Sequence, residues 1–487
     1  MAGEATGIFH GVGSLIEGAA AAFKGIYHPS LPLTAKIRPI NDLTVEGVQK
    51  AWGTVSIVGG RAYLFGGVDS VGNLASNSMH IIHLPTTDVE STDYEELPAS
   101  ASSPPSRCVH TATVIDSQIY VYGGSSSADI NSPKPIDENG RVWVFDTQSN
   151  TWSSLLPDHN TPIPRTPVFA VSSSTSFPKP QEKPSDENPH CSSARADLLP
   201  KHDLDPLATM PEPVEVNTYG SLFIYGGQHM AEDSSLQTNS NDMWIFDISS
   251  RTWSRFPSPP HSSPSTLSSP NLALVDNKLY TYIAPDAQTY ALELDMRSIV
   301  FEADGPGEFG PSPLGPWTAI PAPDATSSPP PDHTASTHSS NEEKADSGGG
   351  GKEDATEASL VPITTGQGRN YLVLISTTTT GADTEPSPIY TLQLAPTSKS
   401  SASLKDSARS AMHKSTNRDV WAQVTHYYNN QNVLRQESQA GREVGVRRRG
   451  GMVAKMGTMD GGAVLVWGGV GGRGEVGDGV GFIVDFE

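Results

Sequence analysis

The sequence predicts an all-β protein, and three observations support this. First, runs of alternating aromatic and β-branched residues end in paired glycines at 61–67, 118–124, 221–227 and 463–469. Second, two of these runs are followed by a polar loop, an aromatic run and a tryptophan, at 141–152 and 241–253. Third, Gly (45) and Pro (40) are abundant among the 487 residues, which disfavours long helices.

Each glycine-paired run belongs to a unit of four short strands. Alternating aromatic and β-branched residues suit a pleated, half-buried surface. The glycine pair ends the second strand, where the backbone must turn sharply or approach a neighbour. Turn signals separate the first two strands of several units, as at Asp116-Ser117, Asp276-Asn277 and Asp460-Gly461.

Three of the five intervals between successive units are longer than the other two. Each long interval holds a low-complexity tract, at about 172–218, 322–359 and 395–417. Such tracts bury too little apolar surface to offset the entropy of ordering, so we expect three disordered surface insertions. The rest of 52–487 supplies six units, with seven as the alternative.

Paired glycines after an aromatic strand, followed by Phe-Asp and Trp at fixed offsets, resemble kelch repeats. The kelch family belongs with galactose oxidase in one propeller superfamily, and the resemblance implies a β-propeller of four-stranded blades. It covers 52–487 apart from the insertions and is weak in the fourth and fifth units. We therefore expect a six-bladed kelch-type β-propeller as a single domain, preceded by an N-terminal arm at 1–51.

The two ends of the chain are expected to close the ring. Residues 481–487 match the third strand of a unit, and no fourth strand follows them. We expect 33–40, within the N-terminal arm, to supply that strand and so protect the sheet edges.

Charge and cysteine content narrow the function classes. Acidic residues (54) outnumber basic ones (32), and the net charge of −22 disfavours binding to nucleic acid or to acidic lipid surfaces. Cys108 and Cys191 cannot make a disulfide framework or a zinc site. No apolar run is long enough to span a bilayer, and the N-terminus does not resemble a signal peptide. We expect a cytoplasmic protein, with a nuclear location as the alternative.

The candidate binding residues lie where the loops of a propeller gather. They are the unit-opening residues Arg107, His110 and Arg165, and the loop residues His229, Glu232 and Asp233 that follow the third glycine pair. Loops held by a rigid scaffold commonly carry binding residues. For the first three residues, hydrogen bonding between blades is the alternative role.

Glu182, Asp186 and His190 have the E-x3-D-x3-H spacing that resembles the iron-binding signature of nitrile-specifier-type kelch proteins. In this chain the three residues lie in a Ser/Pro-rich insertion instead of a loop between two strands. We therefore expect no bound metal or cofactor, with iron as the alternative.

No nucleophile elbow or phosphate-binding loop occurs in the sequence. The sequence therefore favours a non-enzymatic, monomeric protein–protein interaction module or adaptor. The alternative is a specifier-like, pathway-modifying protein that acts on a small molecule with bound iron.

Overall fold

The fold is that of a computed structural model. The residues that it describes, called the described residues below, are 32–40, 46–85, 92–157, 160–166, 169–172, 220–230, 237–260, 271–283, 288–295, 299–300, 308–309, 311–320, 357–376, 388–428, 449–457, 462–470 and 481–486.

Almost all regular structure within these ranges is β-strand. The first sixteen strands are β1 (Thr34–Ile40), β2 (Lys50–Ala51), β3 (Thr54–Val58), β4 (Arg61–Phe65), β5 (Val68–Asp69), β6 (Met79–His83), β7 (Asp93–Leu97), β8 (Thr111–Ile115), β9 (Gln118–Tyr122), β10 (Val142–Asp146), β11 (Thr151–Leu155), β12 (Phe169–Ser172), β13 (Ser221–Tyr225), β14 (Gln228–Met230), β15 (Gln237–Asn239) and β16 (Met243–Asp247). The next sixteen are β17 (Thr252–Phe256), β18 (Leu272–Val275), β19 (Lys278–Ile283), β20 (Gln288–Asp295), β21 (Ile299–Val300), β22 (Glu308–Phe309), β23 (Ser312–Pro313), β24 (Thr318–Ile320), β25 (Ala358–Thr364), β26 (Asn370–Ser376), β27 (Ile389–Gln393), β28 (Trp421–Gln423), β29 (Thr425–Tyr428), β30 (Met452–Gly457), β31 (Gly462–Trp467) and β32 (Gly481–Phe486). The helices are a 3₁₀ turn η1 (Glu46–Val48) and α1 (Ser401–Ala411).

The described strands form six four-stranded antiparallel blades. In chain order these are blade 1 (β3-β4-β6-β7), blade 2 (β8-β9-β10-β11), blade 3 (β12-β13-β16-β17), blade 4 (β18-β19-β20-β24), blade 5 (β25-β26-β27-β28) and blade 6 (β30-β31-β32-β1). The first strand of each blade contacts the first strand of the next, and β30 contacts β3. The described residues thus form a ring of six blades, which confirms the six-bladed interpretation.

Blade 6 joins the two ends of the chain. Strand β1 pairs antiparallel with β32, with Ala35 opposite Phe486, in the position expected of the closing strand. Arg38 donates to Asp485 at 2.6 Å across the pair. Strand β29 adds to the outer edge of β1 in parallel. Because β1 pairs with β32 from Gly481 to Phe486, the edge of β32 is covered.

Aromatic rings from neighbouring blades fill the spaces between them. Between blades 1 and 2, the ring centroids of Phe65 and Trp152 lie 5.0 Å apart. Between blades 2 and 3, Tyr122 and Trp253 lie 5.1 Å apart. Both tryptophans are buried, and a side chain of this size contributes about 2–3 kcal/mol through burial alone. The Trp of the repeat therefore packs one blade against the next.

One expected insertion is corrected by the structure. The segment 395–417 contains α1, which Ser400 caps by accepting a hydrogen bond from the Ser403 N–H at 3.1 Å. Asp406 on α1 accepts from the guanidinium of Arg369 at 2.6 and 2.9 Å. These polar anchors order a segment whose composition is too polar to form a core, and composition alone does not reveal them. The other two tracts lie outside the described residues apart from Ser172 and 357–359, which are ordered at their margins.

Candidate functional site

The loops that carry the glycine pairs gather at one end of the ring, here called the glycine-pair end. At this end the residue after each glycine pair forms a backbone bridge to the segment that opens the blade. The bridges are Ala51 to Val68, Cys108 to Ser125, Thr166 to Gln228 and Arg449 to Val470. The repeat thus places the opening segment and the loop between the second and third strands side by side.

The glycine pairs are required by close backbone approach. Gly67 has a φ of 99°, and a Cβ at this position would lie 2.6 Å from the carbonyl oxygen of Ala51. A Cβ at Gly468, which has a φ of 67°, would lie 2.2 Å from the carbonyl oxygen of Lys50. Only a residue without a side chain fits there, in a backbone region that L-residues rarely adopt.

Hydrogen bonds link the opening segments of neighbouring blades. The Trp52 N–H donates to the Gly450 carbonyl at 2.8 Å, and the Val109 N–H donates to the Trp52 carbonyl at 2.7 Å. The hydroxyl of Thr166 donates to the Val109 carbonyl at 3.0 Å. The Gly450 N–H donates to the carboxylate of Glu357 at 2.7 Å. Five blades are tied together in this way, so the frame that presents the loops is rigid.

The side chain of Arg107 is fully buried, and its hydrogen bonds are made within blade 2. Its guanidinium donates to both carboxylate oxygens of Glu138, at 2.8 and 2.9 Å, and to the Gly123 carbonyl at 2.9 Å. The indole N–H of Trp143 donates to the same carboxylate at 3.0 Å. We call this set the guanidinium–carboxylate–indole group. It fixes the long loop between β9 and β10.

Blade 3 contains the same group. Arg165 donates to the carboxylate of Asp242, and the indole N–H of Trp244 donates to it at 2.6 Å. Burial alone would raise the pKa of Asp242, but the hydrogen bonds from Arg165, Ser240 and Trp244 outweigh it and hold the pKa at about 2. The carboxylate is therefore ionised at neutral pH and holds the cation in place.

His110 opens blade 2, and its buried ring contacts residues of blade 1. Its Nε2 lies 2.9 Å from the hydroxyl of Thr54, and its ring packs edge-on against Phe65 at 5.4 Å. Burial, together with the positive charges of Arg107 and Lys50, lowers its pKa well below the usual range, so the ring is neutral at pH 7. The neighbouring Cys108 is a free, buried thiol whose pKa is raised by burial to about 12. Neither residue is poised for chemistry.

The structure gives Arg107, His110 and Arg165 internal partners and buries all three. Only His110 joins two blades, as its alternative role of hydrogen bonding between blades predicts; the two arginines are bonded within their own blades. Contact of these three residues with a partner stays a prediction. His229 is half-buried on β14 and pairs across the ribbon with Thr238. The remaining sequence candidates lie outside the described residues: Glu232, Asp233, Glu182, Asp186, His190 and Cys191.

The described parts of the chain hold no cluster of three or more His, Cys, Asp and Glu side chains that could bind a metal ion. The same parts contain no helix that is both long and apolar enough to cross a membrane.

A small apolar cluster at the glycine-pair end was missed by the sequence analysis. Val68, Cys108 and Val109 are buried in it, and half-buried side chains pack against them from the loops of blades 1 and 2, namely Trp52, Leu74, Ala128 and Ile130. We call these seven residues the loop cluster. The apolar residues that follow Gly67 and Ser127 are its signal in the sequence, but only the fold shows that the two loops meet.

The loop beside this cluster is held rigid and carries an exposed apolar tip. Val71 is 81% exposed. The carboxylate of Asp69 accepts hydrogen bonds from the Val71 and Asn73 N–H groups at 3.0 and 2.8 Å, which closes the loop. In blade 2, the Ser125 hydroxyl accepts from the Lys134 N–H at 2.9 Å. Val71 is therefore an exposed apolar side chain held on an ordered loop next to the loop cluster.

Comparison with known families agrees with this geometry. Residues 48–177 match the profile of the KLHDC2/KLHL20/DRC7 Kelch-repeats domain, and residues 216–260 match the Kelch motif. The chain is a kelch-repeat β-propeller. The matched stretches lie in blades 1 to 3, which hold three of the four glycine pairs and both guanidinium–carboxylate–indole groups.

Two further proteins are similar to this chain, one over a short stretch and one over most of its length. The Rho GTPase-activating protein gacHH of Dictyostelium discoideum is 27% identical to this kelch propeller over 111 residues, which are 23% of this chain and 7% of that protein. The match therefore spans a small part of that relative. A solved structure described as "Structure of YjhT" is similar at a TM-score of 0.40 and 12% identity, over 89% of this chain and 94% of that one.

Proposed function

We propose that this kelch propeller is a non-enzymatic protein–protein interaction module, an adaptor that binds its partner through the loop cluster of blades 1 and 2. The observation that carries the proposal is an apolar cluster with half-buried side chains and the exposed Val71, held on loops that internal hydrogen bonds fix. A kelch propeller in general supports protein interaction. The proposal adds which residues of the propeller form the binding surface.

Rigidity favours this end of the ring. Loops that are already ordered lose little conformational entropy on binding, so more of the contact energy appears as affinity. The loops of blades 1 and 2 carry the acidic residues Asp69, Asp129 and Asp137 and the basic residues Lys134 and Arg141. A partner surface with an apolar centre and charges of both signs at its edge would complement these loops.

In this role the propeller acts as a monomer in the cytoplasm or the nucleus, without a metal or cofactor. No observation on the described residues favours the specifier-like alternative. Metal analysis of the purified protein tests it: near-stoichiometric iron would replace the adaptor proposal, and metal-free protein supports it.

Paired surface variants test the binding face. Ile130→Asp places a charge in the loop cluster, and Val71→Asp places one on the loop beside it. Leu404→Asp places a charge on α1, at the opposite end of the ring. Leu404 is 70% exposed, so it controls for the loss of an exposed apolar side chain.

Affinity purification from the native host, followed by quantitative mass spectrometry, is the measurement. We expect Val71→Asp and Ile130→Asp to lose a shared set of partners by tenfold or more, whereas Leu404→Asp retains them. Equal recovery with all three variants, at unchanged thermal stability, would refute the proposed face.

A further inference from the structure

Helix α1 turns its polar side chains toward the ring. Asp406 accepts from Arg369, and the buried Arg409 donates from Nε to the Ser415 carbonyl at 2.7 Å. The apolar residue that α1 buries is Ala402. A surface helix usually packs its apolar side on the core and leaves its polar side in water. In α1 this order is reversed, because polar anchors hold the helix on blade 5.

The outward side of α1 is apolar. Leu404, Ala408, Ala411 and Met412 follow one another at steps of four, three and one residues, so they share one face of the helix. Leu404 is 70% exposed and Met412, at the C-cap, is 40% exposed. We call these four residues the α1 stripe. Because apolar surface in water is unfavourable, a segment that covers the stripe is stabilised there.

The N-terminal arm enters the ring at the same end as α1. Strand β1 is antiparallel to β32, which begins after the last glycine pair, so β1 begins at the end opposite the glycine pairs. Its first residue, Thr34, pairs with Thr425. Thr425 follows the exposed Val420 of blade 5 by five residues of mostly extended chain. Strand geometry therefore places Thr34 within roughly 25 Å of Val420.

Blade 5 is thus the neighbour of the arm. Leu33, directly before β1, is buried in the same apolar cluster as Val361 and Ile363 of blade 5 and as Val424, which joins β28 to β29. Pro32 before it is exposed. The preceding part of the arm therefore starts from the surface beside the blade that carries α1.

The sequence of residues 8–23, here called the arm segment, matches the stripe. Its apolar residues recur at helical spacing on one face, namely Ile8, Val12, Leu15, Ile16, Ala19 and Phe23. Glycines at 11, 13 and 18 disfavour a helix that stands alone, so this segment needs a surface on which to pack.

The connection is long enough for the arm segment to reach α1. Residues 24–33 separate the arm segment from β1, and ten extended residues span about 33 Å. As a helix the arm segment is about 24 Å long, against about 16 Å for α1. So short a tether gives an effective concentration in the millimolar range, which favours a segment of the same chain over a second copy.

We propose that the arm segment docks as an amphipathic helix on the α1 stripe of the same chain and covers it. The contact lies at the end of the ring opposite the loop cluster and does not depend on the adaptor role.

Hydrogen–deuterium exchange of the full chain tests the contact, with a free peptide of residues 8–23 as the reference. In the wild type, the arm segment is expected to exchange at least tenfold more slowly than the peptide, because docking protects its amides. Each variant is then measured on the segment that it does not alter.

Charges on the two facing surfaces are expected to break the contact. Leu404→Asp and Met412→Asp should return exchange in the arm segment to the rate of the peptide. Leu15→Asp should speed exchange in Ser401–Ala411. The matched controls add the same charge outside the two apolar faces: Ser14→Asp in the arm segment and Ser410→Asp, which is exposed on α1, should change neither segment.

Three results would overturn the proposal. One is exchange of the arm segment at the peptide rate in the wild type. The second is protection that Leu15→Asp removes but Leu404→Asp and Met412→Asp leave intact, because the arm segment would then pack on another surface. The third is protection that grows with protein concentration, because a second copy would then be the occupant.

Discussion

Blades 2 and 3 differ from blades 4 and 5 in what holds their loops. All four are four-stranded antiparallel sheets with buried apolar residues on both faces. Blades 2 and 3 add a glycine pair and a buried guanidinium–carboxylate–indole group at the glycine-pair end. Blades 4 and 5 lack the glycine pair, and their described residues contain no such group.

In blade 5 the polar contacts that hold α1 and the turn between β25 and β26 lie at the opposite end of the ring, whereas Glu357 is the buried carboxylate at the glycine-pair end. Arg369 holds α1 through Asp406, and the amide of Asn370 donates to Asp276 of blade 4 at 3.2 Å. Apolar strand packing is therefore enough to build a blade, whereas buried polar groups decide which end of the blade has fixed loops. This contrast favours the glycine-pair end for the binding face, and the loop cluster is why we place the face on blades 1 and 2.

The largest expected effect comes from removing a buried guanidinium. Arg107→Ala leaves Glu138 and the Trp143 indole without their cation inside blade 2, and we expect a loss of about 3–5 kcal/mol in the free energy of unfolding. Arg369→Ala is the matched change in blade 5. It frees α1 at the edge of the ring, so we expect a smaller loss of global stability and faster hydrogen exchange in Ser401–Ala411.

Urea unfolding followed by tryptophan fluorescence measures both variants. If Arg369→Ala lowers the free energy of unfolding as much as Arg107→Ala does, the distinction between blades 2 and 3 and blades 4 and 5 is wrong.

The pH dependence of stability tests the anchor of blade 3. The folded pKa of Asp242 is lowered to about 2, below the unfolded value near 3.9. Its contribution to stability is therefore present above pH 4 and is lost as the pH falls from about 4 to 2. Asp242→Asn has no charge to lose, so we expect its stability to change less with pH across this window. Parallel stability curves for the variant and the wild type would contradict this assignment.

The smallest expected effect concerns one hydroxyl. Thr166→Val removes the hydrogen bond from blade 3 to the Val109 carbonyl of blade 2, and we expect a loss of about 1 kcal/mol. Thr281 in blade 4 is equally buried, but its hydroxyl has no hydrogen-bond partner, so Thr281→Val is the control and should cost nothing or stabilise. Chemical denaturation measures the free energy of unfolding of both variants. An equal loss in each would show that the hydrogen bond from Thr166 to the Val109 carbonyl does not add to stability.

The sequence reveals the blades because glycine pairs, aromatic alternation and the repeated Trp are local features. It also indicates the closing strand at 33–40, because the repeat ends one strand short at Phe486. It does not show that 395–417 is ordered. The residue that anchors α1 is Arg369, which lies in the turn between β25 and β26 and is distant from the helix in the sequence.

Hydrogen–deuterium exchange of the propeller, free and bound to the partner recovered from its host, tests the central claim most directly. The account predicts slower exchange on binding in 68–78 and 124–141, the two loops that carry the loop cluster, with no change in Ser401–Ala411. Protection confined to Ser401–Ala411, or to other parts of the end opposite the glycine pairs, would contradict it.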